Sequence, residues 1–124
     1  MPVVTPAPDD VITTPNAVMT RRATPAQGAA ETSVWTARMA PGAQGPVHVI
    51  DREQIWLPLT GAITVTTEAG DERAAAGQAL VLPPGTERRI TAGDEGAEII
   101  VCMPAAGRVT TPSDPAPRPL PWAE

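Results

Sequence analysis

An all-β fold, either a closed barrel or a double-sheet jelly roll, is what this chain predicts. Three observations carry the prediction. About eight short stretches with apolar residues at every second position recur at even spacing along the chain. Clusters of turn-forming residues separate them, drawn from ten glycines and sixteen prolines. No window holds a sustained i, i+3, i+4 apolar stripe, and prolines interrupt almost every candidate helix.

Residues 1–33 read as an N-terminal extended segment of the barrel, cut into short pieces by Pro2, Pro6, Pro8, Pro15 and Pro25. Val3-Val4, Val11-Ile12 and Ala17-Val18-Met19 are each able to form an edge strand, and prolines at such edges discourage aggregation. Thr24 to Glu31 is small and polar, and reads as a mobile loop. Residues 34–103 read as the barrel core. Its first strand, Ser33 to Met39, sets Trp35, Ala37 and Met39 on one face against Thr36 and Arg38 on the other. After the turn Ala40-Pro41-Gly42 comes the stretch from Gly42 to Gly61, which contains the only histidine. There Val47, Val49, Ile55, Leu57 and Leu59 share one parity, while His48, Ile50, Gln54 and Trp56 share the other, across the polar turn Asp51-Arg52-Glu53.

Ala62 to Thr67 follows as a separate strand, and Glu68 to Asp71 reads as a hairpin turn into Glu72 to Ala76. Gly77 to Leu82 runs into the turn Pro83-Pro84-Gly85, and Arg88 to Thr91 re-emerges as a strand. Ala92 to Gly96 reads as a polar turn before Glu98 to Met103, a nearly continuous apolar run expected to be buried on both faces. Residues 104–124 read as a Pro-rich C-terminal tail, an extended arm whose Trp122 is available to dock on the barrel.

Composition excludes several classes. A formal net charge of −5 leaves no basic face for neutralising phosphates, so nucleic acid is not an expected partner. All nine basic residues are Arg, which with the Ala and Pro content reads as GC-rich coding bias. One cysteine, Cys102, cannot close an intrachain disulfide, and its apolar strand marks it as an inert buried thiol. No apolar run approaches the roughly 20 residues of a membrane span, and no basic-then-apolar leader opens the chain, so a cytoplasmic protein without a membrane partner is expected. With three Trp and no Phe or Tyr, any buried tryptophan weighs heavily.

The spacings of Gly42, His48, Ile50, Gln54 and Gly61, and then of Gly77, Pro83, Gly85, Arg88 and Ala92, resemble the two ordered motifs of the cupin family. The resemblance spans residues 42–92. It implies a small jelly-roll β-barrel, commonly a homodimer, with a site inside the barrel. Metal-bearing cupins use two His and a Glu of the first motif and a His of the second. Those four positions here hold His48, Ile50, Gln54 and Arg88. One imidazole and one amide oxygen give neither the ligand count nor the charge of an Fe, Mn or Zn site, and a guanidinium repels a divalent cation. Neither a metal nor any other cofactor is therefore expected. Asp51 and Glu53 lie in the turn and are expected to face solvent rather than replace lost ligands.

The expected site is a barrel pocket in which His48, Gln54, Trp56 and Arg88 converge, with Ile50 and Met39 as apolar wall. Arg88 offers a fixed charge for an anion, and its proximity would keep His48 neutral and able to act as a base. Gln54 would orient a carbonyl or hydroxyl, and Trp56 would stack on a flat ring. Each has a plainer reading: His48 satisfied in the core by Gln54, Trp56 and Trp35 filling space, Arg88 turned outward beside Arg89. Three functions follow. One is a metal-independent module binding a small anionic or enolisable metabolite. The second is a metal-free isomerase, cyclase or lyase with His48 as base and Arg88 as anion stabiliser. The third is a structural dimer with a vestigial pocket. No acid partner or orienting carboxylate accompanies the lone base, so binding leads.

Overall fold

The computed structural model describes all of residues 1–124 and contains ten strands, three short 3-10 turns and no α-helix. The strands are β1 (Val11–Thr13), β2 (Val18–Ala23), β3 (Thr32–Met39), β4 (Val49–Ile50) and β5 (Gln54–Thr67) in the first half. The second half adds β6 (Gly70–Ala75), β7 (Leu80–Leu82), β8 (Arg89–Pro104), β9 (Arg108–Thr111) and β10 (Asp114–Pro119). They form a double-sheet jelly roll. The larger sheet runs β1-β2-β3-β8-β5-β6 with β7 also paired to β5, and the smaller runs β10-β9-β4. Every pairing is antiparallel.

Alternation decides which side chains enter the core. On β3, Trp35, Ala37 and Met39 are buried, as their shared parity predicts. On β5 the buried set is Gln54, Trp56, Pro58, Ala62, Ile63 and Val65, and on β8 it is Ile90, Ala92, Gly96, Ala97, Ile99, Val101 and Met103. The last apolar run is thus not buried on both faces: Ile100 and Cys102 point the other way and stay partly exposed. The larger apolar side chains among them, from Trp35 to Met103, are joined by Ile50, Leu82 and Leu120 in one continuous core between the sheets.

Two long strands replace the four short ones expected. Ala92 to Gly96 is not a turn but the middle of β8, and Gly61 does not end a strand but lies within β5. The two strands pair in two stretches, from Ile55–Cys102 to Gly61–Ala97 and from Ile63–Ala92 to Thr66–Arg89, slipping register between Pro58 and Thr60 and again between Gly61 and Ile63, where Gly93 to Gly96 of β8 bulge out of the ladder. Gly61 and Gly96 both take positive φ, +71° and +73°, at this crossing. A Cβ on Gly61 would collide with the Gly96 carbonyl, and one on Gly96 would come within 2.6 Å of the Met39 carbonyl. Glycine here bends paired strands from one part of the barrel to the next, which its turn-like sequence context conceals.

The ends of the chain are also more ordered than composition alone predicts. Thr24 is fully buried, its hydroxyl donating to the Glu124 carbonyl (2.7 Å), so the segment beginning there is tied down rather than free. The Pro-rich tail is not a loose arm: β9 and β10 pair with each other, and β9 pairs with β4. Beyond them a 3-10 turn over Pro121–Ala123 buries Leu120 and Ala123 against the barrel. Arg21 holds it by donating from Nε (2.9 Å) and Nη2 (2.6 Å) to the Pro121 carbonyl, and Ser33 Oγ donates to the Ala123 carbonyl (2.5 Å).

Candidate functional site

Between the two sheets lies a partly open cavity of about 330 Å³. From the larger sheet, inward parity delivers Trp35 and Met39 of β3, Gln54 and Trp56 of β5 and Met19 of β2. From the opposite side come Val109 and Thr111 of β9, Arg118 of β10, and Leu120 and Trp122 beyond it. The turn Thr14 to Ala17, whose Thr14 hydroxyl accepts from the Asn16 (3.2 Å) and Ala17 (3.1 Å) amides, adds a further edge. All three tryptophans of the chain line this one cavity.

His48 reaches it from an irregular ladder that precedes β4. Its amide and carbonyl exchange hydrogen bonds with those of Arg88, both at 3.0 Å, which sets the two side chains on one face. The imidazole Nδ1 lies 2.8 Å from the Pro46 carbonyl oxygen. A carbonyl only accepts, so Nδ1 carries the proton and Nε2 carries the free lone pair. Burial chiefly, and the Arg88 charge to a lesser degree, hold the imidazole below its ordinary titration range, against the Pro46 contact that favours protonation. His48 is therefore a neutral base with its lone pair uncommitted at neutral pH.

Gln54 is oriented from two sides. Its Oε1 accepts from Arg88 Nη2 (2.6 Å) and from Trp56 Nε1 (3.1 Å), while its Nε2 meets the Met103 sulfur at 3.6 Å. Two donors on one oxygen fix the amide, since the flipped form would oppose N–H to N–H. The amide oxygen is thus spent, and unused capacity remains only on the NH2 end. Arg88 itself is 1% exposed and also donates from Nη1 to the Thr86 carbonyl (3.2 Å). Its Nε has no partner and no carboxylate pairs with it; burial pushes its pKa down to about 10.

Of the residues expected to form the site, Met39, His48, Gln54 and Trp56 line the cavity together. Arg88 and Ile50 do not. Arg88 shares their inward face but sits behind Gln54, whose amide it holds, and Ile50 is fully buried in core packing. Strand parity says which face a side chain takes; it does not say which neighbour stands in front of it. Sequence reasoning also missed the cavity roles of Trp35, Val109, Thr111 and Arg118, and left Trp122 only as a docking group. A tryptophan isolated among the last prolines was the available signal for Trp122; Val109 and Thr111 carry no signal of their own.

The four positions that hold metal in metal-bearing cupins do not fit a divalent ion here. Ile50 offers no donor, the Gln54 oxygen is already engaged by two N–H groups, and Arg88 brings a positive charge. No cluster of three or more His, Cys, Asp or Glu able to hold an ion occurs in the structure. No helix is long and apolar enough to cross a membrane.

No protein-family model and no curated protein matches this sequence. Solved structures do match its fold. A variant of Bacillus subtilis oxalate decarboxylase superposes with a TM-score of 0.68 at 19% identity, covering 76% of this chain and 26% of the other. This chain therefore spans about a quarter of that enzyme's length. The polyketide cyclase RemF from Streptomyces resistomycificus gives a TM-score of 0.69 at 16% identity, covering 91% of this chain and 78% of the other. An RmlC-like cupin from Shewanella frigidimarina gives 0.62 at 17% identity, covering 72% and 76%. The paired glycine motifs, the double-sheet topology and these superpositions agree on the fold: this chain has the jelly-roll fold shared by these cupin structures.

Proposed function

We propose that this protein binds a small organic molecule in the cavity between its sheets, without using a metal ion. One observation carries the reading: every tryptophan of the chain lines one pocket beside a neutral histidine with a free lone pair. A mostly apolar pocket with a few fixed polar groups is the usual form of a small-molecule site. The expectation of an anionic ligand rested on Arg88 in the cavity wall. Arg88 lies behind Gln54, so an anion has to meet another cation, whereas an enolisable ligand needs only His48.

A second reading keeps the same site as a metal-free isomerase, cyclase or lyase. The uncommitted His48 Nε2 favours it, because a neutral imidazole is able to remove a proton next to a carbonyl. The fold likeness to a polyketide cyclase supports weighing this reading too. Arg88 then acts through the Gln54 amide rather than on the substrate. Quenching of tryptophan emission by enolisable ketones and aromatic compounds, in the presence of chelator, tests binding. Saturable quenching that persists with chelator and weakens in Trp56→Leu is the expected result. Product formation that disappears in His48→Ala selects the enzyme; binding without product selects the module. No quenching by any compound leaves a dimeric barrel with a vestigial pocket.

The same proposal includes a homodimer. On the outer face of the larger sheet Leu57, Leu59 and Val81 are 37%, 49% and 60% exposed. Val81 pairs across to Ile55, Ile55 to Cys102, and Leu57 to Ile100, so the apolar residues form one patch on three strands. Sedimentation at micromolar concentration is expected to give twice the chain mass of 12.9 kDa, and Leu57→Glu with Val81→Glu is expected to give monomers. A wild-type species at the single-chain mass would count against the dimer.

A further inference from the structure

We infer that the ligand of this cavity is an aromatic carboxylate, with its rings among the tryptophans and its carboxylate on Arg118. The inference rests on reading the cavity as a small-molecule site and deepens it.

Strand register aims Arg118 inward. It sits directly opposite Val109 of β9, and Val109 sits opposite Ile50 of β4, so the three side chains share one face of the smaller sheet. Ile50, at the far end of this row, is fully buried in the core, which identifies the face as the inner one. β10 is the edge of that sheet, so the row runs from the core out to where the wall ends. There Arg118 lines the cavity with a side chain 39% exposed. No other charged side chain lines it, and no carboxylate does.

The free part of the guanidinium selects the polar head of the ligand. Nη1 alone is engaged: it pairs with Asp114 Oδ2 (2.8 Å) and donates to the Asp114 (3.2 Å) and Ala116 (3.3 Å) carbonyls. The only buried side-chain nitrogen or oxygen atoms without a partner are Trp35 Nε1 and Arg88 Nε, so the unpartnered Nε and Nη2 of Arg118 are open to solvent. Their N–H groups lie parallel on one edge of the guanidinium, the two-point fork that matches the two oxygens of a carboxylate. Asp114 leaves that fork empty, and with half its own side chain exposed its pull on Arg118 is weakened by water. A carboxylate on the fork keeps part of its hydration, which an anion deeper in the cavity would lose. His48 does not compete for it, because a neutral imidazole presents only the Nε2 lone pair.

The rest of the wall fits an aromatic body. Trp35, Trp56 and Trp122 line the cavity with Met19 and Met39. Indole rings and methionine sulfur both favour contact with aromatic rings over saturated ones. Trp122 is half-buried on the segment that follows Arg118, so one stretch of chain offers the cavity both a ring and a cation. An apolar cavity of about 150 Å³ accepts benzene, so a space of about 330 Å³ has room for roughly two fused rings.

Three probes of similar size test the class by calorimetry on the full chain at neutral pH: 2-naphthoate, its uncharged analogue 2-naphthamide, and the saturated decahydro-2-naphthoate. The naphthoate is expected to bind tightest, with each of the others weaker by roughly tenfold or more. Arg118→Gln removes the charge and is expected to erase the preference for naphthoate over naphthamide. Asp114→Asn removes the competing carboxylate and is expected to bind naphthoate at least as tightly as the intact chain. If the Arg118–Asp114 pair only held β10 in place, both variants would weaken every probe alike. In nitrogen–proton correlation spectra of the wild-type chain, naphthoate is expected to shift the Arg118 Nε–H resonance downfield and naphthamide to leave it in place. Those spectra need no variant and stand if Arg118→Gln does not fold. Equal or tighter binding of naphthamide or of the saturated acid overturns the ligand class while leaving the cavity as a binding site. So does an Arg118 resonance indifferent to naphthoate, a preference that survives Arg118→Gln, or weaker naphthoate binding in Asp114→Asn. Absence of heat and of shifts with all three probes overturns the binding reading itself, and the ligand class with it.

Discussion

At His48 three influences set the protonation: burial disfavours the charged ring, the Pro46 carbonyl accepts a hydrogen bond from Nδ1–H, and Arg88 adds a like charge. The sign of the pH effect follows. In the unfolded chain the ring takes a proton near its ordinary value of about 6.5. In the folded chain it does so only at lower pH. Between those values the unfolded state binds more protons, so stability falls as pH falls through that window, and any base function of Nε2 falls with it. Arg88→Met removes the like charge and is expected to raise the His48 pKa, read from the imidazole proton shifts in a pH titration. An unmoved or lowered value in a folded variant would contradict this account. His48, Gln54 and Trp56 were legible at this scale because a strand's period of two assigns them a face. The place of Arg88 was not, because its partner Gln54 lies 34 positions away and their contact belongs to packing.

At the scale of elements, β5 and β8 hold the barrel together by pairing from Ile55–Cys102 to Thr66–Arg89. Their apolar stretches were legible, as were the strand Ser33 to Met39 and the Pro83-Pro84-Gly85 turn. Their continuity was not. Gly-rich polar stretches read alike whether the chain reverses or merely bulges, and only the partner strand decides between them. Gly61 is where the decision is enforced, since its φ of +71° and the Gly96 carbonyl beside it exclude a side chain. Gly61→Ala is expected to cost at least about 2 kcal/mol in urea unfolding, the size of a strained backbone plus a displaced strand. Gly77→Ala is the control: φ is also positive, +89°, but no atom lies within 4 Å of the added Cβ. Its cost should be smaller, near the roughly 1 kcal/mol of backbone conformation alone. Equal losses at both sites would remove the argument from close approach.

For the whole molecule, the C-terminal segment is the part whose composition most concealed its role. Sixteen prolines in the chain, several in the last ten residues, read as an extended arm with Trp122 available to dock, yet prolines are compatible with edge strands such as β10. What converts the tail into a wall is its end: Leu120 and Ala123 are buried, Trp122 lines the cavity, and Arg21, Thr24 and Ser33 hold the backbone beyond β10. Two changes separate support of the fold from closure of the site. Deleting residues 120–124 removes the buried leucine and all three anchors. It is expected to cost on the order of 3–5 kcal/mol in unfolding free energy, and to abolish ligand quenching of the remaining tryptophans. Trp122→Ala keeps the anchors and Leu120. It should retain most of the stability while weakening an aromatic ligand about tenfold or more, the loss of one stacked indole face. If Trp122→Ala binds as the intact chain does, Trp122 only covers the barrel. If the deletion melts and binds as the intact chain does, the tail is the loose arm that its prolines imply.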